Sequence, residues 1–219
     1  MIKYHPSNEL LSQFSEAGLP ATLSVAVAIH VEMCPVCQQK VAALEAATAA
    51  TIFSDEPDPS DQEVMTFDDS LLDAITCDET IDEVYQQPAT KVTIKEQHYT
   101  LPRALTRIGQ SNFIHVGKLA RSRTVIDDGP LRASLLHIDA GGEIPEHTHT
   151  GFEVTLLLDG EFSDEQGHYV PGDFMMLDGR HQHTPMTKEG CLCFTVVSSA
   201  LHFNKGLSKL LNPIGSLIY

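Results

Sequence analysis

Apolar positions follow one rule in the first part of the chain and another after residue 90. Early on they recur at helical spacing: Leu10, Leu11 and Phe14 share one face of a segment over 8–17, followed by Ala21–Met33 and by the alanine-rich 35–51. Gly18 and Pro20 separate the first two. From Lys91 onward the runs are short and alternating, as in 91–95, 133–138, 153–158 and 193–197. Turn signals divide them: Asp128-Gly129-Pro130, Asp159-Gly160, Pro171-Gly172-Asp173 and Asp178-Gly179. Many short antiparallel strands at such intervals predict a sandwich or barrel. The fold class expected is therefore α+β in two domains, a small N-terminal helical bundle and an all-β C-terminal barrel. Residues 1–85 form the helical domain, 86–95 a linker around Gln86-Gln87-Pro88, and 96–219 the barrel. A length of 219 residues suits that division.

Between the halves lies a stretch with its own pattern. From Val41 to Thr90 there is no Lys, Arg or His, while Asp55, Glu56, Asp58, Asp61, Glu63, Asp68, Asp69 and Asp73 are among its acids. A solvated linker over 54–61 is one reading of such a run. Phe67, Leu71, Leu72 and Ile75 nevertheless fall at helical spacing behind Asp68, Asp69 and Ser70, which are helix-start residues. A short acidic amphipathic helix of this kind predicts a partner-binding element.

Charge and cysteine usage narrow the function. A net charge of −16 argues against direct contact with nucleic acid and favours a basic protein partner. No stretch approaches the roughly 20 uncharged apolar residues of a membrane span. The opening MIKYHPSNELLSQF has neither an apolar core nor a small-residue cleavage site, so the compartment expected is the cytoplasm. The five cysteines sit as Cys34/Cys37, Cys77 and Cys191/Cys193, a clustering that suits metal or redox chemistry better than a disulfide framework.

Two groups of residues carry metal-ligand spacing. In His30-x3-Cys34-x2-Cys37, a helix places His30 and Cys34 on one face with Cys37 a turn further on. Structural zinc takes four nitrogen or sulfur donors, and His5 is the candidate for the fourth. A thioredoxin-like Cys-x-x-Cys is the competing reading, but no strand precedes it. The second group is Gly141-x5-His147-x-His149-x3-Glu153-x6-Gly160, in which alternate strand residues project together. A third imidazole is expected from the segment that begins at Gly172-Asp173 and reaches His183, with His181 as the fallback. Cys191 and Cys193 read either as thiols facing the barrel interior or as small core residues.

The span from Gly141 to Gly160 resembles the first cupin motif, and Gly172 to His183 resembles the spacing of the second, departing from it at Asp178 and Arg180. The resemblance covers roughly residues 95–205 and implies a cupin barrel holding zinc or another divalent metal on His147, His149, Glu153 and His183. The pattern of His5, His30, Cys34 and Cys37 resembles the zinc-binding anti-sigma domain. In this order and at this length the two resemble the ChrR-type anti-sigma factors. That resemblance implies an N-terminal zinc domain that binds an ECF-type sigma factor and blocks its access to core RNA polymerase. It also implies a cupin domain required for release under oxidative stress, typified by singlet oxygen. Residues Leu10, Phe14, Leu71 and Leu72 are the expected contacts with sigma, with packing inside the helical bundle the competing reading for each. Self-association stays open. The alternative is a metal-dependent cupin enzyme, a dioxygenase or isomerase, with His137, His168 or His181 as acid/base groups. An N-terminal zinc domain is of no use to such an enzyme.

Overall fold

The computed structural model describes residues 1–54, 69–78, 89–149, 151–199 and 201–203, the side chains of His149 and 201–203 excepted. Helices come first and β-structure after, as the hydrophobic pattern predicts. Helix α1, Asn8–Ser15, starts where the Ser7 hydroxyl accepts from the Leu10 amide at 3.1 Å. It ends two residues short of the expected limit. Ala17 adopts a left-handed backbone, φ 55°, and the Gly18 amide bonds back to Gln13 O at 2.8 Å.

Helix α2, Ala21–Met33, follows Pro20. Its first turn is capped from the barrel: the Asp128 carboxylate accepts from the Thr22 amide at 2.8 Å and from the Thr22 hydroxyl at 2.7 Å. Helix α3, Pro35–Ile52, has proline in its first position, which suits a helix start and forces the preceding residue out of helical geometry. Cys34 is accordingly extended, φ −116° and ψ 101°, and the two helices meet at a 117° bend. Helix α4, Asp69–Thr76, is the acidic helix, with Leu71, Leu72 and Ile75 exposed. Phe67, Asp68 and most of the 54–61 segment lie outside the described residues.

Two compact units result. One joins Met1–Glu45 to Ala89–Tyr219, and the other is Ala46–Pro88. Residues 86–88 of the expected linker are outside the described set, and 91–94 already form a strand.

In the larger unit, β1 (Lys91–Ile94) and β2 (Gln97–Thr100) form a hairpin. The strands that follow are β3 (Ile114–Val116), β4 (Leu119–Arg123), β5 (Arg132–Ile138), β6 (His147–His149) and β7 (Phe152–Gly160). After them come β8 (Phe162–Asp164), β9 (Gly167–Tyr169), β10 (Phe174–Asp178), β11 (Cys191–Val197) and β12 (Leu201–Phe203). An antiparallel sheet runs β10-β7-β11-β5-β4-β3, with β12 paired to β6 and β8 to β9.

The two faces of that sheet bury different cores. Leu135, Val154, Leu156, Phe174, Phe194 and Val196 share a core with Leu11, Leu23, Ala26, Val27 and Ile29 of the helices. Ile138, Leu157, Met175, Cys191 and Cys193 join Phe162 and Tyr169 in a second. Every residue of β11 is buried, because one side of the strand meets each core. Helix α2 is apolar round most of its circumference for the same reason: it is a core helix. Among the described residues no single helix is long and apolar enough to cross a membrane.

Candidate metal centres

The helical site forms at the break between α2 and α3. His30 occupies the last turn of α2, Cys34 the extended residue at the bend and Cys37 the first turn of α3. The expectation of His30 and Cys34 on one continuous helix face is thus corrected: Pro35 ends the helix, and the turn it imposes converges the donors. His5 arrives from the segment ahead of α1. Zinc bonds of about 2.0–2.1 Å to nitrogen and about 2.3 Å to sulfur, at tetrahedral angles, set two nitrogens, or a nitrogen and a sulfur, about 3.4–3.6 Å apart. His5 Nδ1 lies 3.4 Å from His30 Nε2, 3.5 Å from Cys34 Sγ and 3.4 Å from Cys37 Sγ. All four ligand atoms fall within 4.8 Å of one another, a donor set compatible with zinc.

Electrostatics point the same way. Burial lowers the pKa of His30, against the pull of its hydrogen bond to Gly172, so the ring is neutral. With Nδ1 donating to Gly172 O at 2.7 Å, the lone pair sits on Nε2, towards the cluster. Burial pushes the Cys37 thiol up to about 11, and Cys34 adds to the shift. A thiol held this high is a thiolate at neutral pH when a cation lies beside it.

Inside the barrel, His147 on β6, Glu153 on β7 and His183 beyond β10 are all buried, and their ligand atoms cluster within 4.8 Å. His183 Nε2 is 3.0 Å from His147 Nε2 and 3.8 Å from a Glu153 oxygen. Each imidazole is oriented from behind: His147 Nδ1 contacts Pro145 O at 2.9 Å, and His183 Nδ1 contacts Asp164 at 3.2 Å. Both Nε2 lone pairs therefore face each other, an arrangement that repels unless a proton or metal ion lies between. The space beside them is about 30 Å³, room for an ion or a water, and Cys193 is part of its wall. His149 belongs to β6, two residues from His147 on the same strand. His181 is elsewhere, bound to Asp178 at 2.9 Å on the surface. His137 contacts the Tyr99 hydroxyl at 3.0 Å, and His168 contacts Ser163 at 3.0 Å. Neither reaches the cluster.

Sequence reasoning missed Asp164. In the chain it reads as a turn residue, and one oxygen does accept from the Gln166 and Gly167 amides at 2.8 and 3.1 Å. The other holds His183. Burial opposes its ionisation, but bonds from His183, Gln166 and Tyr169 outweigh that and keep the carboxyl below its ordinary value.

Residues 114–200, from β3 through β11, match the family described as the ChrR cupin-like domain. The anti-sigma-E factor ChrR of Cereibacter sphaeroides is 28% identical, the alignment covering 97% of each chain. The similarity to ChrR runs along nearly the whole length of the chain. A solved structure, Rhodobacter sphaeroides SigE in complex with the anti-sigma ChrR, superposes with a TM-score of 0.64 at 22% identity, over 90% of this chain and 99% of that one. That likeness is one of fold.

In this chain the turn 170–174 touches the segments that carry two of the helical donors. Buried Asp173 accepts from the Lys3 and Tyr4 amides at 2.7 and 3.0 Å and from Val170 at 2.9 Å. Phe174 N donates to Tyr4 O at 3.0 Å, next to His5, while Gly172 O holds His30. The turn leads directly into β10, which pairs with β7, Leu177 opposite Glu153.

Proposed function

We propose that this chain is an anti-sigma factor, a non-enzymatic regulator that binds an ECF-type sigma factor in the cytoplasm and blocks its access to core RNA polymerase. The observation that carries the reading is the alignment over 97% of the chain with an anti-sigma factor, 28% identical. The four-donor cluster at the α2–α3 bend supports a zinc ion that holds the helices in binding geometry, with His5, His30, Cys34 and Cys37 as ligands. A net charge of −16 and the exposed apolar residues Leu71, Leu72 and Ile75 on α4 suit a basic, partly apolar partner surface. Leu10 and Phe14 of α1 are half-buried against the helical core, so α4 offers the freer face.

The barrel is the regulatory half in this reading. A divalent metal on His147, His149, Glu153 and His183 ties β6, β7 and the segment after β10 together, and its loss or the oxidation of a ligand loosens them. Oxidative stress of the singlet-oxygen type is the proposed signal. The turn 170–174 is the physical route from β10 to the helical donors.

Co-expression with a neighbouring ECF-type sigma factor followed by affinity capture tests the core claim. A stable complex that suppresses sigma-dependent transcription in vitro is expected. Free sigma and unaffected transcription in the presence of zinc-loaded protein refute it.

A further inference from the structure

Strands β3, β4 and β5 present one continuous face on which Ile114, Arg121 and Leu136 stand in register, with Val116 and Leu119 in the next row. A cavity of about 330 Å³ lies over this face, lined by Ser111, Ile114, Val116, Leu119, Arg121, Arg123 and Leu136. Ile114 and Val116 are 66% and 54% exposed, unusual for apolar residues on a strand face. Leu136 is also part of the wall of the metal cavity, so the two spaces adjoin.

The wall is apolar except for two cations and a hydroxyl. Arg121 is half-buried, and its Nε donates to Ser134 Oγ at 3.0 Å. Among the described residues no carboxylate forms an ion pair with Arg121 or with Arg123, its neighbour on the same face. Burial, then repulsion from Arg123, draws the Arg121 pKa down to about 10, with Glu153 opposing, so the group stays charged at neutral pH. A half-buried guanidinium beside a second one, in an apolar cleft, is an anion-binding arrangement.

We propose that this cleft binds a medium-chain carboxylate, its head on Arg121 and its apolar body along Ile114, Val116, Leu119 and Leu136. A planar guanidinium fork matches a carboxylate, which makes the contact charge-assisted and directional. At about 30 Å³ for each water-sized atom, the cavity holds a ligand of roughly ten heavy atoms. Octanoate has that size. The chain's own residues 204–219 carry Lys205 and Lys209 and no acidic side chain, the wrong charge for this wall.

Calorimetric titration of the full chain with octanoate, and with octan-1-ol as the uncharged match, tests the site. Saturable octanoate binding is expected, about tenfold weaker for the alcohol and about tenfold weaker again in Arg121→Gln. Ile114→Glu, a change at an exposed position, places a like charge beside the ligand and is expected to weaken octanoate by a larger factor than octanol, which loses the apolar contact alone, and this keeps the test alive if Arg121→Gln misfolds. Equal binding of acid and alcohol, or octanoate affinity unchanged by both substitutions, overturns the proposal. So does the absence of saturable binding, the result if residues 204–219 fill the cleft.

Discussion

His30 donates through Nδ1 to the carbonyl oxygen of Gly172, 2.7 Å away, so a turn of the β-barrel aims a donor of the helical metal cluster. Gly172 is held there by its backbone, φ 94°, and by space: a Cβ at this position would come within 2.4 Å of the Ile2 side chain.

Gly172→Ala therefore shifts the carbonyl and releases His30 without touching a proposed ligand. Zinc affinity measured by chelator competition is expected to fall about tenfold or more, the usual effect of losing a partner behind a ligating histidine. Wild-type affinity in a folded Gly172→Ala protein would show that the turn plays no part in the site.

The cap that Asp128 supplies to α2 makes stability depend on pH. Hydrogen bonds from Thr22 hold its carboxyl below the ordinary 3.8, outweighing the opposite effect of burial. A depressed pKa contributes stability that is present above the unfolded-state value and lost as pH falls through the lower folded value. Wild type is thus expected to lose this contribution below about pH 4, and Asp128→Asn to lack that component of the acid transition. At neutral pH Asp128→Ala should cost about 1 kcal/mol, as helix caps do. Superimposable acid-unfolding curves for wild type and Asp128→Asn would exclude the cap.

Ala17 holds a left-handed conformation that costs an L-residue about 1 kcal/mol. Ala17→Gly is expected to raise the unfolding free energy by about that amount, read as a higher denaturant midpoint at unchanged slope. A lower midpoint would mean that the flexibility gained in the unfolded chain outweighs the strain relieved.

For the proposed signal path, His147→Ala and Glu153→Ala should leave repression intact and abolish sigma release under singlet oxygen. Cys191→Ser and Cys193→Ser should act more weakly. The Cys193 thiol is hydrogen-bonded with the free thiol of Cys191 and buried, both of which push it well above the ordinary value, so the reactive thiolate is scarce. Reporter transcription with and without a photosensitiser decides the matter: normal induction in the His147 and Glu153 variants removes the barrel cluster from the mechanism.

Local physics made much of this protein readable without coordinates. Helical spacing before residue 53, alternation after residue 90 and the turn dipeptides between strands each depend on neighbouring residues alone, and the elements appear where those signals stand. Cysteine, histidine and glutamate spacing likewise singled out the residues that the fold gathers into two clusters, together with His149, whose side chain lies outside the described ones. Tertiary structure decided the rest. Pro35 breaks the helix that His30 and Cys34 were expected to share, and convergence comes from the bend. Asp164, Asp128 and Gly172 look like turn residues in the chain, because the partners that give them other work, His183, Thr22 and His30, lie 19, 106 and 142 residues away. Nor did any local pattern say that α1 and α2 share a core with the sheet. A helix apolar on most sides declares that it is buried, but what it is buried against is settled only by packing between distant segments.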